Sequence, residues 1–149
     1  MTLNIRDAVP DDLRHVHEMI GLLARQHGDL VTISIADLSR RVFDQGLARI
    51  LVAAEEEGLV GYALILTRPN LVSGRARHEI DHLFVMEWRR RAGIGRALIA
   101  LARVAALAEG AEVLGIGTHR ENLGAQRAYR DMGLEEMPLG GPRFKVALG

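Results

Sequence analysis

The sequence contains no cysteine, and its aromatic residues are few: three Phe, two Tyr and one Trp among 149 residues. Without cysteine, the chain can form neither a disulfide, nor a thiolate metal site, nor a cysteine nucleophile. So few aromatic rings argue against stacking platforms for single-stranded nucleic acid. The 19 basic and 19 acidic residues cancel, so the basic excess of a nucleic-acid-binding domain is also missing. We therefore predict no nucleic-acid partner.

Long apolar segments are missing as well. The longest uninterrupted apolar run is Ala97–Ala102, far short of the roughly 20 residues that a membrane span needs. The N-terminal segment has no apolar core typical of a signal peptide, and it carries Arg6, Asp7, Asp11 and Asp12. We expect a cytoplasmic protein without a membrane partner. A chain of this length suits one core, so a single domain over residues 1–149 is predicted.

Hydrophobic periodicity predicts an α/β (α+β) fold with the element order βααβββαβαβ. The predicted strands cover residues 3–6, 49–55, 59–67, 78–86, 113–118 and 143–148. The predicted helices cover residues 10–27, a segment capped by Ser34, and residues 93–109 and 122–132. The strand–helix–strand unit over residues 80–118 implies a parallel crossover, so we predict a mixed central sheet flanked by helices.

A basic, glycine-bearing loop opens the helix that follows the strand segment Leu83, Phe84, Val85. The loop and first helical residues are Arg90, Arg91, Ala92, Gly93, Ile94, Gly95 and Arg96. The free N–H groups and the dipole of a helix start attract anions, and glycine lets the backbone approach a phosphate. A dinucleotide fingerprint would need a small residue at Leu98, and the Lys-Ser/Thr of a Walker A loop is missing. On the glycines alone, a helix start that simply tolerates glycine explains the pattern equally well.

A second motif lies downstream, where Asn122, Ala125 and Tyr129 share one helical face because offsets of 3, 4 and 7 residues stack. Asn122 can cap this helix and still offer its amide to a ligand. Gly133 provides a stop for the helix. Taken alone, Tyr129 is better explained as an ordinary core aromatic.

Together the two motifs resemble those of the GNAT superfamily of acetyl-CoA-dependent N-acetyltransferases, and the resemblance extends over nearly the whole chain. The glycine loop resembles the family's pyrophosphate loop. The strand Leu83–Val85 resembles the one whose backbone pairs with the pantetheine arm, and the Asn122–Tyr129 helix resembles the other CoA-binding motif. The resemblance implies an enzyme with acetyl-CoA as cosubstrate, Tyr129 as its general acid and, by family habit, a homodimer.

Within that family, the run from Asp81 to Met86 and the later Arg143-Phe144-Lys145 most resemble the diamine (spermidine/spermine) acetyltransferase branch. That branch usually has an acidic residue where His82 stands. Glycine is also common where Arg91 stands in the loop. The resemblance implies an amine acceptor, either a small molecule or a protein, without identifying it.

The absence of cysteine excludes a thioester acyl-enzyme, so we expect an amine to attack acetyl-CoA directly in a ternary complex. A carboxylate must take a proton from the amine, whose ordinary pKa is about 10.4. Strand alternation predicts that Glu79 and Asp81 lie on the same face as Leu83 and Val85, about 7 Å apart. Asp81 is preferred as the base because it lies closer to Leu83. The alternative reading of both residues is solvated strand-end acids.

A non-catalytic acyl-CoA sensor would show the same CoA loop and is the alternative function. No catalytic metal is predicted from the histidine pairs. His78 and His82 are about 13 Å apart along a strand, and His15 and His17 diverge on a helix. Both pairs are expected to be solvated or at an edge.

Overall fold

The computed structural model describes residues 2–138 and 140–149, which fall into two compact units. The first unit ends at Gly117 and contains the sheet. The second unit begins at Thr118 and contains helix α4 (Leu123–Asp131). Each unit is described by itself below.

The sheet of the first unit has the strand order β1-β2-β3-β4-β5. Its strands are β1 (Asn4–Asp7), β2 (Ala48–Glu55), β3 (Gly58–Pro69), β4 (Ala76–Val85) and β5 (Val113–Ile116). The first four strands pair antiparallel with their neighbours, and β5 pairs parallel with β4. Helix α3 (Ile94–Ala108) connects β4 to β5. The mixed sheet flanked by helices, with its parallel crossover, confirms the predicted fold class.

Helices α1 (Leu13–Gln26) and α2 (Ile35–Ser39) lie between β1 and β2. A 3-10 turn precedes α1, and a π-helical segment, Arg40–Asp44, continues α2. The predicted cap is present, because the Ser34 hydroxyl accepts a hydrogen bond from the Asp37 N–H at 3.0 Å. Such a bond satisfies one of the free N–H groups that every helix start exposes.

The two faces of the sheet are covered by different helices. Residues of α1 and α2 form one core with alternate side chains of β2, β3 and β4, including Val52, Tyr62, Leu64 and Phe84. Helix α3 packs against β2, β3 and β4, and its residues Leu98, Ile99 and Ala102 are buried. Burial on both faces explains why β2 and β3 are nearly continuous apolar runs rather than alternating ones.

The predicted last strand, residues 143–148, is wrong. In the described segment 140–149 no strand forms, and the side chains of Phe144, Val146 and Leu148 are exposed. These larger apolar residues stand at every second position, as they would in a half-buried strand. Alternation gives a strand two faces but supplies no hydrogen-bonding neighbour, and the structure shows none for this segment. The predicted loop 68–77 is also shorter, because β3 extends to Pro69 and β4 begins at Ala76.

An ion pair near the first turn gives a pH-dependent prediction. The Asp12 carboxylate accepts hydrogen bonds from the Arg6 guanidinium at 2.6 and 3.0 Å, and from the Val9 N–H at 2.8 Å. The hydrogen bonds from Arg6 hold the pKa of Asp12 below its usual value. An acid with a lowered native pKa stabilises the fold above its unfolded pKa of about 4, and that stability is lost as pH falls through the native pKa.

Asp12→Asn should therefore lower the free energy of unfolding by about 1–2 kcal/mol at pH 7. The difference between the free energies of unfolding of the variant and wild type should narrow below about pH 4, because Asp12 of the wild type then becomes protonated and uncharged. Urea unfolding across that pH range measures both effects. Asp11→Asn, at the exposed neighbouring carboxylate, is the matched control. A destabilisation by Asp12→Asn that stays constant down to pH 2 would contradict the prediction.

Candidate functional site

The glycine loop forms the start of α3 as predicted. Gly93 is the N-cap residue with φ of 80°, and the helix begins at Ile94. No side chain caps this helix start, so its first N–H groups point outward without a side-chain acceptor. A 15-residue helix carries the positive end of its dipole here. These features together form a site suited to an anion.

Gly95 lies in the first turn of α3, where glycine is less favourable than alanine by about 1 kcal/mol. The nearest protein atom to a Cβ added at Gly95 would be Val85 Cγ2, at 3.9 Å, an ordinary contact distance. The described packing therefore gives no steric reason for glycine at this position. A ligand approaching the backbone closely would supply that reason.

The arginines around the loop have different roles in the structure. Arg90 Nε donates to the Val85 carbonyl at 3.0 Å, and its guanidinium lies 5.7 Å from the centre of the Phe84 ring. Arg89, which sequence reasoning overlooked, forms two hydrogen bonds with the buried Glu55 carboxylate, at 2.6 and 2.8 Å. Arg90 and Arg89 thus tie the loop to the ends of the neighbouring strands, and Arg91 and Arg96 are exposed.

Arg91 adopts a left-handed backbone, with φ of 66°. For a residue with a Cβ this conformation costs about 1–2 kcal/mol. Arg91→Gly should therefore raise the free energy of unfolding by about 0.5–1 kcal/mol, and Arg91→Val should lower it by about 1 kcal/mol. Both variants remove the same charge, so the difference between them in urea unfolding isolates the backbone effect. Equal stabilities of the two variants would contradict this explanation.

Strand β4 is open on one side next to this loop. Its pairs with β5 run from Arg77↔Val113 to Ile80↔Ile116, and β4 continues beyond the last pair to Val85. On its other side the strand stays paired with β3, for example at Leu83↔Ala63. Among the strands of the described residues, the segment Leu83–Val85 thus pairs with β3 only, and its other edge could pair with an extended ligand.

A β-bulge in β4 contradicts the predicted face of Glu79. Ile80 pairs with Ile65 but His82 pairs with Leu64, so Asp81 is an extra residue without a partner in β3. The extra residue reverses the alternation of side chains along the strand. Glu79 therefore lies on the face opposite to Leu83 and Val85. Asp81 lies beside His82, also on the side opposite to Leu83, so the predicted face was wrong for both carboxylates.

The bulge brings Asp81 and His82 together, although neighbouring strand residues normally point to opposite faces. His82 Nε2 lies 3.5 Å from Asp81 Oδ2, and His82 Nδ1 lies 3.1 Å from the hydroxyl of Tyr62. Burial lowers the pKa of His82, against the opposing effect of the Asp81 charge. Burial also raises the pKa of the Tyr62 hydroxyl, and the charge of Asp81 adds to that shift.

Glu79 belongs to the same group of titratable side chains. Burial, and then the charge of Asp81, raise the pKa of Glu79. Glu79 pairs with Gly115 of β5, and a Cβ added at Gly115 would collide with the Glu79 carboxylate. Gly115 therefore provides the space in which that carboxylate lies. Two carboxylates with one raised pKa are typical of sites that move protons near neutral pH.

Sequence reasoning overlooked the roles of Tyr62 and His82. It treated His82 as a departure from the family pattern and as one of two strand histidines expected to be solvated or at an edge. Tyr62 lies in an apolar run that looks like ordinary core. The available signal was a buried hydroxyl, which normally needs a hydrogen-bond partner. The expectation that His78 is solvated or at an edge was wrong, since His78 is buried.

His78 lies on the other face of the sheet, with Nε2 2.9 Å from Glu109 Oε2. A cavity of about 500 Å³ is lined by residues that include His78, Glu109, Arg49 and Asp7. This cavity is at the C-terminal end of α3, whereas the glycine loop is at the N-terminal end. It therefore does not belong to the candidate site.

In the second unit, Asn122 caps α4 as predicted, because its side-chain oxygen accepts a hydrogen bond from the Ala125 N–H at 3.1 Å. The Asn122 amide group is not used by this bond. Tyr129 lies two turns further along and is half-buried. Burial raises the pKa of the Tyr129 hydroxyl, so the hydroxyl stays protonated at neutral pH and can donate.

Two further observations concern metals and membranes. Among residues 2–138 and 140–149, no three His, Asp or Glu side chains gather as they would around a metal ion. Over the same residues, no helix has the length and apolar character needed to cross a bilayer.

Residues 16–134 match the model of the acetyltransferase (GNAT) family. The match covers most of the chain, which therefore belongs to the GNAT acetyltransferase family. Membership indicates an N-acetyltransferase, a class that acts on amine acceptors. No protein with a curated function matches the sequence.

Solved structures share the fold at low identity. An aminoglycoside acetyltransferase from an uncultured soil metagenomic sample has a TM-score of 0.80 and 23% identity, over all of both chains. An acetyltransferase from Trypanosoma brucei has a TM-score of 0.77 and 21% identity, over 99% of this chain and 100% of the other. A ribosomal-protein-alanine N-acetyltransferase from Brucella melitensis biovar Abortus 2308 has a TM-score of 0.76 and 18% identity, over the same shares. At these identities the likeness shows the fold alone.

Proposed function

We propose that this chain is an acetyl-CoA-dependent N-acetyltransferase that transfers the acetyl group directly to a primary amine. The observation that carries the proposal is the succession of two features along the chain: the unpaired edge of β4 at Leu83–Val85 is followed, after one 3-10 turn (Glu87–Arg89), by the glycine loop at the start of α3. An extended pantetheine arm can pair with the edge of β4, and a diphosphate can bind at the glycine loop. Gly95, which the protein's own packing does not require, supports close approach of that ligand.

For the chemistry, the amine nitrogen attacks the acetyl carbonyl carbon, the carbon–sulfur bond breaks, and the CoA thiolate leaves. We assign the base to Asp81, with Glu79 in reserve, and the proton for the leaving thiolate to Tyr129. Asn122, Ala125 and the loop residues Arg90–Arg96 would bind CoA. In this proposal all 149 residues act as one domain, since the family match spans residues of both units.

Two negative charges in the Asp81–Glu79 pair favour a cationic acceptor, so diamines and polyamines belong first in the panel of amines tested. We propose a homodimer by family habit, and a cytoplasmic location as the sequence patterning predicts. The proposal does not involve a metal.

Transfer of labelled acetyl from acetyl-CoA to diamines, aminoglycosides, amino acids and protein N-termini tests the proposed activity. Release of CoA can be followed with a thiol reagent without background, because the chain has no cysteine. Labelled product with matching thiol release is the expected result. Tight acetyl-CoA binding with no transfer to any amine would instead support the alternative, a non-catalytic acyl-CoA sensor.

Asp81→Asn should lower kcat/KM for the amine roughly tenfold near neutral pH. The effect is smaller than the 100-fold or more of a sole general base, because Glu79 remains nearby. The acidic limb of the pH–rate profile should change, and acetyl-CoA affinity should not. Glu79→Gln is the matched variant on the same strand. A profile like that of wild type would eliminate Asp81 as the base.

A further inference from the structure

We propose that Tyr62 and His82 position the Asp81 carboxylate for its role as base: a hydrogen bond joins Tyr62 to His82, and His82 Nε2 lies 3.5 Å from the carboxylate. This inference rests on the proposed function. Tyr62 and His82 are positioning residues, because they act through Asp81 and need not touch the amine. These three side chains run from the buried centre of β3, at Tyr62, to the half-exposed bulge of β4, at Asp81.

The geometry defines three connected groups. The Tyr62 side chain is fully buried, with 0% exposure, and its hydroxyl lies 3.1 Å from His82 Nδ1. The two rings meet edge to face, with centroids 5.9 Å apart and planes at 77°. His82 Nε2 lies 3.5 Å from Asp81 Oδ2, and the Asp81 side chain is 50% exposed. Tyr62 is thus fixed by packing, and Asp81 reaches solvent.

The protonation states of Tyr62 and His82 limit how the hydrogen bond between them can be directed. Burial keeps the Tyr62 hydroxyl protonated, because it raises the pKa of that group. Burial lowers the pKa of His82; the Asp81 charge opposes this shift and His27, just after α1, adds to it. A neutral imidazole carries one N–H. If the Tyr62 hydroxyl donates to Nδ1, the proton of His82 is on Nε2, which faces the carboxylate.

The opposite direction is unfavourable. A proton on Nδ1 would place the lone pair of Nε2 against the lone pairs of the Asp81 carboxylate. With the proton on Nε2, one carboxylate oxygen faces a donor and the other oxygen stays available for the amine proton. The contact with His82 therefore orients the Asp81 carboxylate.

The tautomer of His82 can be measured without knowing the acceptor. Long-range ¹H–¹⁵N NMR spectra of the wild-type protein should show a protonated Nε2 and an unprotonated Nδ1 for His82, assigned by its loss in His82→Asn. Tyr62→Phe keeps the buried ring and removes the hydroxyl, so the tautomer should shift toward a mixture. The exposed His15 is the internal reference. A wild-type His82 with its proton on Nδ1 would overturn the proposal.

Kinetics with an accepted amine then test the positioning role. Tyr62→Phe and His82→Asn should each lower kcat/KM for the amine several-fold and leave acetyl-CoA affinity unchanged, because the Asp81 carboxylate is less well oriented. In the His82→Asn background, Tyr62→Phe should have no further effect on kcat/KM. Thermal unfolding checks that both variants are folded. If Tyr62→Phe does not fold, the kinetics of His82→Asn still decide.

The outcomes separate this inference from the proposed base. If Asp81→Asn lowers kcat/KM and the Tyr62 and His82 variants keep the wild-type kcat/KM, these two residues do not position Asp81 and the inference fails alone. If Asp81→Asn itself has no effect, the assignment of the base fails and the positioning role fails with it.

Discussion

Replacing Gly95 with glutamate should weaken acetyl-CoA binding by about a hundredfold or more. The substitution adds a side chain and a negative charge in the first turn of α3, where the proposed diphosphate lies against free N–H groups. Coulomb repulsion between like charges at contact distance is strong even near a protein surface. Calorimetric titration of the variant with acetyl-CoA measures the loss.

Two further variants make this test specific to the ligand. Ala100→Glu places the same charge at an exposed position later in the same helix, so affinity should be close to that of wild type. Gly95→Ala adds only a Cβ, whose nearest protein atom would be 3.9 Å away. That variant should be more stable by about 1 kcal/mol and yet bind acetyl-CoA more weakly. Unchanged affinity in a folded Gly95→Glu protein would mean that the phosphates bind elsewhere.

Removing the Tyr129 hydroxyl should lower kcat about 100-fold, the lower end of what a general acid contributes. Tyr129→Phe keeps the half-buried ring, so packing on α4 and acetyl-CoA affinity should both be retained. Burial raises the pKa of this hydroxyl, and for that reason it carries a proton when the CoA thiolate leaves.

The kinetic constants distinguish this role from binding. A loss in kcat with unchanged acetyl-CoA affinity is expected for a proton donor. A rise in KM for acetyl-CoA with unchanged kcat would instead assign Tyr129 to binding. Asn122→Ala is the comparison on the same helix: it removes the α4 cap and should destabilise the protein by about 1 kcal/mol.

The glycine loop and the α4 motif are local features, which explains why the sequence predicted them well. Gly93 begins a helix because few other residues adopt a positive φ at low cost, and Asn122 caps one because its short side chain reaches the Ala125 N–H. The predicted strand at residues 143–148 failed for the opposite reason. A strand depends on a partner elsewhere in the chain, and alternation carries no information about one.

The sequence by itself determined the fold class, the element order up to α4, the glycine-bearing start of α3 and the family. Each of these depends on periodicity or on residues close together in the chain. The tertiary structure decided what the carboxylates of β4 face. One extra residue in the pairing of β4 with β3 placed Glu79 and Asp81 on the side opposite to Leu83 and Val85 and brought Asp81 to His82 and Tyr62. A bulge results from the pairing of two strands, so neither strand's own sequence reveals it.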